Sequence, residues 1–148
     1  MATLTRALSA DGSVMAMAID STDIVTRIEE IHHTSAVMTA ATGRLATAAS
    51  MMGLLLKGEG DSLTLRLDGG GPAGTIIAVS DSEGCVKAYA QNPVVELPLN
   101  DKGKLDVSGA VGKSGYLSVI KDLGLKEPYS GQTPIVSGEI AKDIPNYY

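Results

Sequence analysis

The sequence has few of the residues that several common protein classes depend on. It contains 1 Cys, no Trp and no Phe, so its 5 Tyr are its only large aromatic side chains. A single Cys excludes an intrachain disulfide framework and any metal site built from several thiolates of this chain. With so few aromatic side chains, the core has to consist of aliphatic residues and some of the 6 Met.

Positive charge is also scarce. The chain has 12 Lys and Arg against 17 Asp and Glu, which gives a net charge of −5. Because affinity for nucleic acids depends on cationic contacts to phosphates, this balance argues against a nucleic-acid partner. The segment 1–13 has no apolar region typical of a signal peptide, so the sequence predicts a cytoplasmic protein.

The 148 residues suit one domain, and the first part of the chain predicts a hairpin followed by two helices. Alternating residues on either side of Asp11-Gly12 indicate two strands joined by a tight turn. The second strand, around Met15 to Ile19, is apolar on both faces, which is typical of a covered strand. Ile24, Ile28 and Ile31 have helical spacing, and a long helix is predicted from Ala36 to Lys57, ending at Gly58.

The remainder of the chain predicts mostly strands. Candidate strands are residues 63–67, 75–80, 85–90, 116–120 and 133–136, and a last helix is predicted through Ile140 and Ile144. The predicted fold class is therefore α+β: a mixed, mostly antiparallel sheet with two sequential helices, the second one long, packed on it. The stretch 36–56 is long enough to cross a membrane, but Arg44 and several Thr and Ser residues favour a core helix. No membrane partner is expected.

Two glycine-containing motifs resemble nucleotide-binding loops. Gly112-Lys113-Ser114 has the end of a phosphate-binding loop, and Gly69, Gly71 and Gly74 have the spacing of a dinucleotide-binding turn. Both sites require a helix to begin directly after the motif, so that its first amides face the phosphates. Here both motifs lead into β-branched, strand-like sequence, so turns are favoured and the chain is predicted not to be an enzyme.

The remaining reactive side chains form no recognisable catalytic set. His32 and His33 are adjacent on a predicted helix and point in different directions, which favours a helix end over a metal site. Cys85 has no nearby His in the sequence, so a small buried hydrophobic residue is the favoured interpretation. No catalytic, cofactor-binding or metal-binding residue is therefore predicted.

The chain resembles the N-terminal domain of the redox-regulated bacterial heat-shock holdases, the thirty-three kilodalton chaperonin family. The resemblance rests on short motifs that follow one another in order along nearly the whole chain. They include Thr42-Gly43-Arg44-Leu45, Tyr89-Ala90-Gln91-Asn92-Pro93, Leu97-Pro98-Leu99-Asn100, Val119-Ile120-Lys121-Asp122-Leu123-Gly124, Pro128-Tyr129-Ser130-Gly131 and Ser137-Gly138-Glu139-Ile140-Ala141.

The resemblance implies an ATP-independent holdase that binds unfolded or misfolded client proteins and is activated by oxidative stress. It also implies a cytoplasmic homodimer. The family's zinc is held by four cysteines in a C-terminal region that this sequence does not contain, so no cofactor is expected here. Residues 1–148 are accordingly expected to be a single N-terminal chaperone domain, incomplete at its C-terminal end, without the zinc-binding redox domain.

A holdase needs exposed apolar surface, and one segment is the best candidate for it. Val94, Val95, Leu97 and Leu99 form an extended segment between prolines, which is predicted to offer an open strand edge to a client or a second subunit. Met15, Met17, Met51 and Met52 are further candidates, although core packing is favoured for each. Two alternatives stay open: a nucleotide-binding enzyme that uses the Gly112-Lys113-Ser114 turn, and a structural oligomerisation module.

Overall fold

The structure is a computed structural model that describes residues 3–148, so Met1 and Ala2, and with them the start of the segment 1–13, lie outside it. The described residues form two antiparallel sheets and four helices, which confirms the predicted α+β class. The elements in chain order are β1 (Thr3–Leu8), β2 (Met15–Asp20), α1 (Thr22–His32), α2 (Ala36–Gly53), β3 (Ser62–Asp68), β4 (Thr75–Asp81), β5 (Val86–Ala90), α3 (Val107–Val111), β6 (Tyr116–Asp122), β7 (Tyr129–Pro134) and α4 (Ile140–Tyr147).

The larger sheet has five strands in the order β5-β4-β3-β6-β7, and every neighbouring pair is antiparallel. The central strand β3 alternates strictly, so Leu63, Leu65 and Leu67 all point to the buried face. Leu65 is paired with Ala78 of β4 on one side and with Val119 of β6 on the other. This face forms the floor of the hydrophobic core.

Helix α2 lies on that face and covers it. Its buried residues recur at helical spacing and include Met38, Ala41, Leu45, Ala49 and Met52. Small residues on both sides of α2 let its neighbours approach closely, because a Cβ on Gly43 would lie 2.9 Å from the Val25 side chain of α1. The second predicted helix therefore is the element around which the molecule is organised.

The predicted end of α2 is wrong by four residues. The helix ends at Gly53 and not at Lys57, and Gly53 packs directly against Ser80 and Asp81 at the end of β4. The amides of Leu55 and Leu56 then donate hydrogen bonds to carbonyls three residues earlier, which makes a tighter turn after the helix. Gly58 lies in the following turn, where its amide donates to the Asp61 carboxylate at 2.9 Å.

The hairpin β1–β2 forms a separate two-stranded sheet. Leu8 faces Met15 across the predicted turn, where the Asp11 carboxylate accepts hydrogen bonds from the Ser13 amide at 3.0 Å and the Ser9 hydroxyl at 2.6 Å. The prediction that β2 is covered is wrong: its residues are exposed or half-buried. The hairpin contacts α2 but is not paired with the larger sheet, so nothing among residues 3–148 shields its outer face.

The C-terminal part contains two differences from the predicted elements. The last strand runs over Tyr129–Pro134 and not over residues 133–136, because the amides of Val136 and Ser137 donate to the buried Asp143 carboxylate of α4. Helix α3 was not predicted, since its five residues include two Val, a Ser and a Gly, which have low helix propensity. Asp106 stabilises it by accepting a hydrogen bond from the Gly109 amide at 3.0 Å.

Candidate functional site

Neither glycine motif forms a phosphate cradle. Gly112-Lys113-Ser114 leads into β6 at Tyr116, and the glycines at 69, 71 and 74 lead into β4 at Thr75, so both predicted strands are confirmed. Two amides of these loops bond to backbone carbonyls of the other loop, Ser114 N–H to Gly69 O at 3.0 Å and Gly71 N–H to Val111 O at 3.1 Å. The two loops therefore pack on each other, and these amides are not available to a phosphate.

The histidines occupy a helix end, as predicted. His32 is the last residue of α1, and His33 follows it in the left-handed conformation with φ 54°, its amide donating to Glu29 O at 2.7 Å. The prediction that Cys85 is buried is wrong, because its side chain is exposed at the turn before β5. Among residues 3–148, no three His, Cys, Asp or Glu side chains come together in a way that could hold a metal ion, so they do not fit a zinc site.

The predicted apolar segment is only partly available to a partner. Val94 and Leu99 are each 60% exposed, whereas Val95 is 8% exposed and Leu97 packs against the core. Residues 91–100 form no strand. Instead, the Val95 amide donates to the Ser35 hydroxyl at 3.0 Å, and that hydroxyl donates to Val95 O at 2.9 Å. This fixes the segment to the start of α2 and removes the expected open strand edge at Val95.

A larger apolar surface lies on α2 itself, on the side away from the sheet. It is a groove of about 710 Å³ whose floor is formed by residues at helical spacing on α2, among them Ala36, Ala40, Gly43, Ala48 and Met51. Because most of these side chains are small, the surface of α2 is recessed between the neighbouring segments, which form the walls of the groove. The sequence shows the small residues but gives no sign that this face stays uncovered.

The walls of the groove come from both ends of the chain. Val25 of α1 lines one side, and α4 supplies Ile140, Ala141 and Ile144 on another. Asp20 lies just before α1 and fixes the start of that helix. Its carboxylate accepts hydrogen bonds from the Thr22 hydroxyl at 2.7 Å and from the Thr22 amide at 3.1 Å. These bonds lower the pKa of Asp20. Three helices therefore enclose a concave apolar surface.

The polar groups of the groove are almost all hydrogen-bonded within the protein. The Thr47 hydroxyl donates to Gly43 O at 2.7 Å and lies 2.8 Å from the Ser21 hydroxyl, and the Thr39 hydroxyl lies 2.9 Å from Ser35 O. Arg44 is the charged lining residue, and its guanidinium lies 3.5 Å from the Glu139 carboxylate at the start of α4. The arrangement can bind apolar groups, and it contains no nucleophile with an adjacent base.

The candidate Met residues divide between core and surface. Met52 is buried, in agreement with core packing, whereas Met51 lines the groove. Met17 is half-buried, and Met15 is exposed on the hairpin near Leu8 and Val14, which are themselves exposed. The hairpin is thus a second apolar surface, and Met15, for which core packing was favoured over client surface, is exposed on it.

Within residues 3–148, no helix is both long and apolar enough to span a membrane. The stretch around Arg44 is a core helix, as predicted, because one face of α2 is buried against the larger sheet.

Comparison with known proteins gives a consistent result over almost the whole chain. Residues 2–148 match the family described as Hsp33 protein. The 33 kDa chaperonin of Clostridioides difficile is 51% identical over 97% of this chain and 49% of its own length. That of Clostridium tetani is 49% identical over 98% of this chain and 49% of its own length.

A solved structure has the same fold. The crystal structure of the 33 kDa chaperonin (heat shock protein 33 homolog) from Thermotoga maritima superposes with a TM-score of 0.92 at 39% sequence identity. The match covers 97% of this chain and 49% of that chain. The present chain thus spans about half the length of the relatives it matches.

Proposed function

The chain belongs to the Hsp33 protein family, a family of chaperones, and from that premise we propose that it is an ATP-independent holdase domain that binds unfolded client proteins. The single observation that supports this function best is the apolar groove on α2. Unfolded chains expose apolar side chains that folded proteins bury, and a concave apolar surface can shield such side chains from water.

The remaining chemistry of the chain is compatible with a binding function. The motifs that suggested nucleotide binding pack against each other and lead into strands, so nothing in their geometry supports the use of ATP.

We propose that the complete protein is a cytoplasmic homodimer activated by oxidative stress. The described residues do not form a zinc site, so a zinc-dependent switch would have to use residues other than these.

The function is tested by light scattering from a chemically denatured enzyme that is diluted into buffer with and without this chain, in the absence of ATP. We expect the chain to suppress the scattering at a stoichiometric excess. Unchanged scattering under these conditions would contradict the holdase function.

Matched variants assign the binding surface. Ala48→Lys places a charge on the floor of the groove, and Ala141→Lys places one on its exposed wall, where the substitution disturbs little packing. Ala18→Lys makes the same change on the exposed hairpin. We expect the two groove variants to lose suppression, because an unpaired charge opposes apolar burial, and the hairpin variant to retain it. The opposite result would place client binding on the hairpin.

The hairpin favours a second candidate function, that of an oligomerisation module. A two-stranded sheet is marginally stable by itself, and both edges of β1–β2 are unpaired within residues 3–148. Pairing with another copy would cover those edges. Analytical ultracentrifugation tests this function: a dimer that dissociates in the Ala18→Lys variant would support it, and a monomer at all concentrations would exclude it.

A further inference from the structure

We propose that the open edge of β5 binds an extended peptide segment of a partner protein, which adds to the larger sheet as a further antiparallel strand. The segment carries an acidic residue between two apolar ones. The inference goes beyond the holdase function and does not depend on it or on the groove on α2. It follows from the unpaired backbone of β5, from a cavity beside that edge and from the charge of Lys87.

Strand β5 is one edge of the larger sheet, and its hydrogen bonds to β4 alternate along the strand. The alternation is fixed at both ends of this pair of strands. The Asp81 amide donates to Cys85 O at 3.1 Å, and the Gln91 amide donates to Thr75 O at 2.9 Å. In an antiparallel pair every second residue exchanges hydrogen bonds with the neighbouring strand, so the odd-numbered residues of β5 bond to β4.

The even-numbered residues of β5 therefore direct their N–H and C=O groups to the open side of the strand. Within the described range 3–148, these groups of Val86 and Ala88 form no hydrogen bond. Two amides and two carbonyls with a spacing of two residues are the pattern with which an added strand pairs. The backbone itself thus specifies extended chain, and not a helix, as the partner.

A cavity of about 520 Å³ between this edge and α1 makes the unpaired groups accessible. It lies at the opposite edge of the sheet from β7, against which the last helix, α4, packs. Val86 and Ala88 line the cavity on the sheet side, and its apolar lining on the helix side consists of Ile24, Ile28 and Ile31. Residues of an added strand that lie opposite Val86 and Ala88 have their side chains on the same face as these two. Apolar residues are therefore favoured at both positions.

Lys87 determines which charge is favoured between the two apolar residues. Its side chain is exposed on the other face of β5, and it forms no ion pair with the residues that the structure describes. The other ionisable lining residues, Asp23, Arg27 and His32, belong to α1. Because the backbone of Lys87 bonds to β4, a residue opposite it on the added strand belongs to a non-hydrogen-bonded pair, in which side chains are close. Opposite charges stabilise such a pair, so an acidic residue is favoured there.

The test of strand addition uses the intact chain and fluorescently labelled peptides of about nine residues, with binding followed by anisotropy. The parent peptide has Val-Glu-Val at its centre, between Thr and Ser residues. Methylation of both Val amides removes the donors to β5 and should weaken binding at least about 10-fold. Methylation of the Glu amide, which points away from β5, should weaken it less than about threefold. Equal effects of the two modifications would overturn the proposal.

Amide hydrogen exchange locates the added strand on the protein. With saturating peptide, the protection of the Val86 and Ala88 amides should increase at least about 10-fold. Protection of the Lys87 and Tyr89 amides, which already bond to β4, should increase less than about threefold. An unchanged protection of Val86 and Ala88 would contradict the proposal even if the peptide binds to the chain.

Matched variants separate this edge from the groove on α2. Ile31→Asp places a charge on the cavity wall, where the side chain is 53% exposed, and should weaken binding of the parent peptide at least about fivefold. Ala48→Lys, in the groove, should change binding less than about twofold. Lys87→Glu should reverse the charge preference, so that a Val-Lys-Val peptide binds about threefold more tightly than the parent. Loss of binding only in Ala48→Lys, or a preference for Glu that Lys87→Glu retains, would overturn the proposal.

A second copy of the chain is the competing occupant of the edge. We expect the sedimentation of the chain to be the same for the natural sequence and for Ile31→Asp, because the edge accepts a partner peptide. Self-association that Ile31→Asp abolishes and that the peptide inhibits would show that two β5 edges pair with each other, and the assignment to a partner protein would then be wrong.

Discussion

The two sheets of this molecule have similar sequence patterns and opposite degrees of exposure. Both β3 and the first hairpin strand, β1, alternate, yet Leu65 on β3 is fully buried while Leu8 on β1 is 68% exposed. The difference lies in what covers them: α2 packs over the larger sheet, whereas the outer face of the hairpin has no cover among residues 3–148. Alternation therefore determines that a segment forms a strand, and packing determines whether its apolar face becomes core or binding surface.

The largest effect that we expect from this comparison comes from matched leucine substitutions. Leu65→Ala should lower the free energy of unfolding by about 4 kcal/mol, because it removes packed methyl groups and leaves a cavity. Leu8→Ala should change it by less than about 0.5 kcal/mol, because the side chain is mostly in water already. Urea denaturation of both variants measures the difference. Similar losses would show that the hairpin is covered in solution.

The next largest contrast in stability concerns two carboxylates, each of which accepts hydrogen bonds from backbone amides. Asp143 is 1% exposed and accepts from the Val136 and Ser137 amides at 3.0 and 3.1 Å. Asp143→Ala should cost about 3 kcal/mol of stability, because it removes the charged acceptor of two backbone amides. Asp11→Ala on the hairpin should cost much less, since water replaces its carboxylate. Thermal unfolding checks both, and Asp143→Asn, which keeps an acceptor, should recover part of the loss.

Gly→Ala substitutions in the two regions should also lower stability by different amounts. A Cβ on Gly115 would overlap the Asp68 carbonyl oxygen, so Gly115→Ala should cost about 2 kcal/mol by forcing β3 and the loop before β6 apart. Gly12 has φ +74° but open space around it, so Gly12→Ala should cost only about 1 kcal/mol of backbone strain. Urea denaturation measures both costs. A larger loss for Gly12→Ala would mean that the hairpin turn is more constrained than the loop.

The smallest effect concerns pH and is confined to the hairpin. Hydrogen bonds from Ser9 and Ser13 lower the pKa of Asp11 to about 2. Because the folded pKa is lower than the unfolded value of about 3.9, the charged carboxylate stabilises the turn above about pH 4. That contribution is lost as the pH falls through about 2. Carboxyl chemical shifts in an NMR titration measure the pKa, and the protection of hairpin amides against exchange should fall over the same range relative to that of β3.

Asp11→Asn is the control for the pH effect. Amide exchange of its hairpin should no longer change at the acidic end of the titration beyond the change seen in β3. A pKa of Asp11 at its ordinary value would contradict the hydrogen-bonded turn.

Much of the fold could be predicted from local sequence signals. The hairpin turn at Asp11-Gly12, the central strands and the start of α2 at Ala36 depend on residues close together in the chain. The end of α2 was not predicted; Gly53, its last residue, packs against Ser80, which is distant in sequence and leaves no local signal. The position of β7 depends in the same way on Asp143, which draws Val136 and Ser137 out of the strand.

The candidate site was less predictable than the fold. The segment with Val94 and Leu99 was identified as apolar, but the burial of Val95 depends on its bonds to Ser35, 60 residues earlier. The groove was missed because its walls come from α1 and α4, and nothing in the local pattern of α2 shows what lies beside it.

The sequence by itself determined the strand and helix segments, the scarcity of reactive groups and the membership in a chaperone family, because these depend on residue identity and short-range spacing. Only the tertiary structure decided which apolar residues are covered. One face of α2 became core and the other a groove, and β1–β2 stayed exposed while β3 was buried. The physical reason is that burial depends on contacts between distant segments, whereas periodicity is a property of each segment alone.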